Sequence, residues 1–156
     1  MSELTRLRNS FPVLLTYLDR AWRRESDAAL VPHGLSTATA MPLLAINRLG
    51  DGIRQVVLAD VLGIEEGSMT QALHVLCGAG LVERRADPND RRAKTLHLTD
   101  AGRALTAQVE AAMAGVRARL LADVAEADLA AAIRVFRAVE TSVGSNKLPP
   151  AMDIVG

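Results

Sequence analysis

The hydrophobic period of the chain changes once, sharply, near its middle, and that change limits the folds open to it. Up to Ala79 the apolar residues recur at three- and four-residue spacing, the repeat of one helical face. After Gly80 come two short β-prone runs, Leu81-Val82-Glu83-Arg84-Arg85 and Lys94-Thr95-Leu96-His97-Leu98. They are separated by the turn-forming stretch Ala86-Asp87-Pro88-Asn89-Asp90-Arg91-Arg92, so the pair reads as a hairpin with a long polar tip. Beyond it the helical repeat returns. Composition agrees, because the 156 residues are 49% hydrophobic yet contain four aromatics, Phe11, Tyr17, Trp22 and Phe136. Apolar mass made of Ala, Leu and Val favours packed helices and excludes a large all-β sandwich or barrel.

A first helix carries Phe11, Leu14, Leu15, Leu18, Ala21 and Trp22 on one stripe, with Pro12 expected close to its start. Pro32-His33-Gly34 breaks the chain. A second helix, with Ser36 or Thr37 as cap, places Met41, Leu44, Ala45 and Leu49 on one face and ends at Gly50-Asp51-Gly52. Ile53-Arg54-Gln55 is long enough only for a bridging strand. A two-turn helix over 56–62 stops at Gly63, and a further helix over 67–79 ends at Gly80. Thr99 caps a long helix over 100–121, and a last helix runs over 126–141 before a loose tail over 143–156. Helix, short helix, Gly-containing turn, helix, hairpin is the order of a winged helix-turn-helix, in a mainly α fold with a small β wing. Leu58, Leu62, Ile64, Met69 and Leu73 form the small core that fixes the angle of its second helix. That helix then presents Ser68, Thr70, Gln71, His74, Val75 and Gly78 outward, where they are placed to enter a major groove. Three parts are expected to intertwine as one domain: an N-terminal dimerisation helix (1–35), a DNA-binding lobe (36–99), and C-terminal dimerisation helices with the tail (100–156).

Eighteen Lys and Arg balance eighteen Asp and Glu, so net charge points to no polyanionic partner and the local distribution has to decide. Over 81–98 the balance is positive: Arg84, Arg85, Arg91, Arg92 and Lys94 against Glu83, Asp87 and Asp90. Arginines on a protruding hairpin reach phosphates or a narrow minor groove. Arg84 and Arg85 alternate faces of a strand, so one at most points at DNA.

Leu58-Ala59-Asp60-Val61-Leu62-Gly63-Ile64, Gly80-Leu81-Val82-Glu83-Arg84-Arg85, Asp87-Pro88-Asn89-Asp90-Arg91-Arg92-Ala93-Lys94 and Leu98-Thr99-Asp100-Ala101-Gly102 resemble MarR-family transcriptional regulators. Ala21-Trp22-Arg23, Ile64-Glu65 and the wing are most similar to the SlyA-like branch. The resemblance implies a homodimer that binds a pseudo-palindromic operator in double-stranded DNA, often near its own gene, as a ligand-responsive regulator, in the main a repressor. It also implies an affinity lowered by a small aromatic acid or phenolic effector. Carried over by motif, Arg91 enters the minor groove, Arg92 and Lys94 contact the backbone, and Asp90 orients an arginine through a charge-assisted pair. Asp87-Pro88 reads as turn geometry. Relatives usually carry Arg where Gln71 stands and Asp where His74 stands. Gln suits adenine rather than guanine, so an altered operator preference or reduced affinity is expected. Glu65 and Glu66 suit the helix N-terminus but repel phosphate.

Other candidates are weaker. Trp22, His33 and Met41 are candidate effector-binding residues, against core packing for Trp22 and Met41 and a solvated loop for His33. His74 and Cys77 have metal-holding spacing but lack third and fourth ligands nearby, so no metal and no cofactor is expected. Cys77 reads as a structural thiol, and one cysteine forms no internal disulfide. No nucleophile–base set or phosphate loop appears, so catalysis is not expected. The uncharged stretch 28–47 is broken by Pro32, Gly34 and Pro42, and no signal peptide is evident, so the expectation is a cytoplasmic protein with no membrane partner. The alternative function is a winged-helix ligand-sensing or protein-interaction module with weakened specific DNA binding, favoured by Gln71, Glu65, Glu66 and the balanced charge.

Overall fold

The computed structural model describes residues 1–90 and 92–144. Six α-helices and three strands follow in chain order. Helix α1 is Glu3–Leu30, followed by a single 3-10 turn, Val31–His33, and helix α2 is Thr37–Leu49. Strand β1 (Ile53–Arg54) leads into α3 (Gln55–Leu62) and α4 (Glu66–Gly78). Strands β2 (Val82–Ala86) and β3 (Lys94–Leu98) form the hairpin, and α5 (Asp100–Leu120) and α6 (Glu126–Ser142) complete the chain. The sheet is antiparallel with order β1-β3-β2, Ile53 opposite Leu96 on one side and Arg84 opposite Leu96 on the other. The fold class is the one read from the sequence: mainly helical, with a small wing.

Local chemistry sets most of the boundaries. Ser2 caps α1 by accepting the Thr5 N–H (3.2 Å). The start of α1 is therefore nine residues ahead of Pro12, which lies inside the helix and not at its beginning. Proline cannot donate to the carbonyl four residues back, but here that carbonyl belongs to Arg8, on an exposed stretch of the helix open to solvent. Ser36 opens α2 as a capping box, its N–H donating to Thr39 Oγ1 (3.0 Å). Gly63 (φ +63°) and Gly80 (φ +69°) end α3 and α4 in the left-handed region, as expected from their positions. After Gly80 the Leu81 N–H returns to the Leu76 carbonyl (3.0 Å), which turns the chain directly into β2. Thr99 caps α5, its hydroxyl accepting the Gly102 N–H (3.0 Å).

Two expectations about packing need correction. Helix α2 is not amphipathic with Met41 and Leu49 inward: Ala40, Pro42, Leu43, Leu44, Ala45 and Ile46 are buried, whereas Leu49 is exposed and Met41 half-buried. It is the central helix, packed on by α1, α3, α4, α5 and β3, and a helix surrounded on all sides has no single inner face. The apolar stripe Val109, Met113, Val116 of α5, on a helix assigned above to dimerisation, is buried within the single chain. It packs against α1 and α2. By contrast α6 buries none of its residues, and Leu4, Leu7, Leu14, Leu15 and Leu18 of α1 remain exposed.

Ion pairs fasten α5 to the rest of the molecule. Arg103 Nη2 bonds Asp51 Oδ2 (2.8 Å) at the turn before β1. Arg48 Nη2 at the end of α2 bonds Glu110 Oε1 (2.7 Å), half-buried on both sides, and Arg119 bonds Glu25 of α1 (3.0 Å). Asp51 does more than pair, since its Oδ1 accepts the Leu98 N–H (2.9 Å). Arg103 first, then that N–H, holds its carboxyl below the usual carboxylate range.

Candidate nucleic-acid interface

The interface is built on the locked inner face of α4. Met69, Leu73 and Leu76 are fully buried together with Leu58 of α3, and Leu62 and Ile64 pack partly against the same core. That arrangement fixes both the pitch and the rotation of the helix. Consequently Ser68, Thr70, Gln71, His74, Val75 and Gly78 all face outward, exposed and contiguous, as the spacing predicts. Thr70 is not free-standing, because its Oγ1 accepts a hydrogen bond from Gln55 Nε2 at the start of α3 (2.7 Å). Gln55 thus joins this surface. Nothing in the sequence marks it, since the two residues are fifteen apart on separate helices.

The wing projects beside this helix. Only Val82 of β2 is buried; Glu83, Arg84, Arg85 and Ala86 are exposed. Arg84 pairs across with buried Leu96, so it leaves the sheet on the face of that core residue while being itself exposed. Arg85 pairs across with Thr95 on the opposite face and forms an ion pair with Glu83. The two arginines therefore alternate faces as expected. Lys94 and Arg92 are exposed at the tip, and Arg91 lies outside the described residues.

The tip is held by two carboxylates in different ways. Asp90 Oδ1 accepts the Arg92 N–H (3.0 Å), closing a local turn. Asp87, expected to serve turn geometry, does so by accepting the Asn89 N–H on Oδ1 (2.8 Å), but it also pairs with Arg54 of β1. Nε and Nη2 of Arg54 both reach Asp87 Oδ2, at 2.7 and 2.6 Å. The Asp87 side chain is buried, and its carboxyl lies below the usual range, held there by the Asn89 N–H first and by the Arg54 guanidinium second. Sequence reasoning missed this bolt because its halves are 33 residues apart and one of them sits in a two-residue strand.

Trp22, His33 and Met41 are each half-buried, on α1, the 3-10 turn and α2 respectively. Neither of two shallow grooves on the surface is lined by any of them: one follows the exposed Val13–Tyr17 side of α1, the other the Thr95–His97 face of the wing. Cys77 is half-buried at the edge of the core. Among the described residues no group of three or more His, Cys, Asp or Glu side chains could hold a metal ion. No single helix among them is long and apolar enough to cross a membrane.

A bare, rigidly held helix beside a basic hairpin defines a winged helix-turn-helix of the DNA-binding kind. Residues 33–93 match the family model described as MarR family. The solved transcriptional regulator PA3341 is 36% identical, with a TM-score of 0.76 over 86% of this chain and 98% of its own. A mutant MarR from E. coli complexed with operator DNA superposes with a TM-score of 0.78 at 24% identity, covering 88% of this chain and 99% of that one. CouR from Rhodococcus jostii RHA1, bound to p-coumaroyl-CoA, gives 0.74 at 24% identity over 92% and 96%. The chain belongs to the MarR family of winged-helix transcriptional regulators.

Proposed function

We propose that this regulator acts as a homodimer, in the main a repressor, on a pseudo-palindromic operator, with α4 in the major groove and the wing against the minor groove. One observation carries the reading. The outward face of α4 exposes small polar side chains, while its opposite face is anchored by fully buried Met69, Leu73 and Leu76. Ser68, Thr70, Gln71 and His74 then meet base edges. Arg91, Arg92 and Lys94 neutralise phosphate or enter the minor groove, one of Arg84 and Arg85, which leave the wing on opposite faces, joins them, and Asp90 shapes the tip. The exposed stripes of α1 and α6 support a two-fold dimer, which spaces the paired helices about 34 Å apart, one turn of duplex. The wing and the Ile64-Glu65 turn favour the SlyA-like branch.

An aromatic acid or phenolic effector is the class favoured here, in keeping with the p-coumaroyl thioester carried by CouR. Half-buried Trp22, His33 and Met41 are its proposed contacts. The second reading, a ligand-sensing or protein-interaction module with weakened specific DNA binding, draws on α4 itself, which has no Lys or Arg and begins with exposed Glu65 and Glu66. Titration of the full chain onto duplex from its own upstream region, at several salt concentrations and beside random duplex, separates the two. Preference for the upstream duplex with a steep fall in affinity as salt rises supports the regulator; equal affinity for random duplex overturns it.

A further inference from the structure

The surface that faces the bases differs in kind from the wing. Over Glu66–Gly78 there is no Lys or Arg, and the side chains presented outward that can both donate and accept are Gln71, Ser68 and Thr70, with His74 one turn beyond. A carboxamide offers one N–H side and one oxygen side in a fixed plane. That pair matches the major-groove edge of adenine, where N7 accepts and the N6 amine donates. It mismatches guanine, whose N7 and O6 both accept and would leave the carboxamide oxygen facing another oxygen. Gln71 is exposed and makes no hydrogen bond within the described residues, so its carboxamide is available.

Gln55 is placed differently. Its Nε2 donates to Thr70 Oγ1 (2.7 Å), which removes much of the rotational freedom of a long side chain before any duplex arrives. The bond leaves the Gln55 oxygen, a second Nε2 proton and the Thr70 hydroxyl proton unused. An oriented oxygen in the major groove selects bases that present an exocyclic amine, adenine or cytosine, over guanine or thymine.

We propose that Gln71 and the Gln55–Thr70 pair are the specificity-determining residues of this regulator. Gln71 selects an A·T pair by bidentate contact with adenine, and Gln55 selects an amine-bearing base beside it. The proposal rests on the DNA-binding reading above and assigns base choice to a neutral surface, with phosphate attraction left to the wing. Selection from a random duplex library, with the full-length protein and its Gln71→Ala, Gln71→Arg and Gln55→Ala variants, tests it together with affinities on the selected site.

The expected result for the unaltered protein is an adenine at one fixed position in each half-site. Gln71→Ala loses that preference and binds the selected site about 10- to 100-fold more weakly, with an unchanged salt slope. Gln71→Arg exchanges the adenine for guanine, and Gln55→Ala relaxes the neighbouring position while Gln71's adenine is retained. Guanine at the position governed by Gln71, or a selected sequence that no Gln71 or Gln55 variant changes, overturns the proposal while leaving the regulator reading intact. An unaltered protein that selects no sequence at all overturns the regulator reading instead. Gln71 is exposed and Gln55 half-buried, neither belongs to the core, and the far-ultraviolet dichroism of each variant confirms folding independently of DNA.

Discussion

Gly102, in the first turn of α5, sits so close to the residue preceding β2 that a Cβ there would fall inside the van der Waals shell of the Leu81 carbonyl oxygen and touch Leu98 Cδ2 (3.4 Å). That carbonyl is not free to move, since it accepts the Thr99 N–H (3.1 Å). Gly102→Ala is expected to lower stability by about 2 kcal/mol or more, read as a lower urea midpoint with an unchanged slope. The carboxylates make a pH-dependent contribution of definite sign. The folded-state values of Asp51 and Asp87 lie below their ordinary ones, so their stabilisation is fully present above the ordinary carboxylate range. It is lost as pH falls from that range through the lowered values. Asp87→Asn should therefore lower the denaturation midpoint at pH 7, and the gap to the unaltered protein should close as the solution is taken to pH 3 and below.

At the scale of elements, the Arg54–Asp87 pair ties the wing to β1. Replacing Arg54 by Met keeps the length of the side chain and removes the charge, leaving a buried carboxylate without its guanidinium partner. The wing should then lose its fixed angle to β1, with operator affinity falling by about tenfold while the base preference set on α4 persists; binding titrations on the selected site measure both. Caps give a second test, because Thr99→Ala removes the acceptor for the Gly102 N–H and should cost about 1 kcal/mol in a chemical melt.

Helix starts at Ser36 and Thr99, stops at Gly63 and Gly80, and the outward set on α4 were legible in the sequence because each depends on residues within about one helical turn. What escaped it was non-local. The burial of α2 on all sides depends on five neighbours drawn from the whole chain. Asp51, Arg54 and Gln55 act on partners 52, 33 and 15 residues away. Pro12 misled for a related reason: its cost inside a helix depends on whether the abandoned carbonyl is wet, and only the fold answers that.

For the whole molecule, the exposed face of α1 is the feature with the widest reach. Leu14 and Leu18, both more than half exposed, lie one turn apart on a stripe that also carries Leu4, Leu7 and Phe11. Paired charges placed there, Leu14→Arg with Leu18→Arg, should halve the mass seen by analytical ultracentrifugation at micromolar concentration and abolish cooperative occupancy of a two-half-site duplex. The core contains neither residue, so the winged lobe should stay folded. Helix α6 takes the same logic further. Seventeen residues, none of them buried, are kept helical mainly by intrinsic propensity and pairs such as Arg137–Glu140, and a segment that short is marginal alone in water. Its winding is then tied to the company it keeps: on serial dilution towards nanomolar chain, the 222 nm ellipticity per residue should shrink before the lobe melts, so that helicity itself reports how many chains have met.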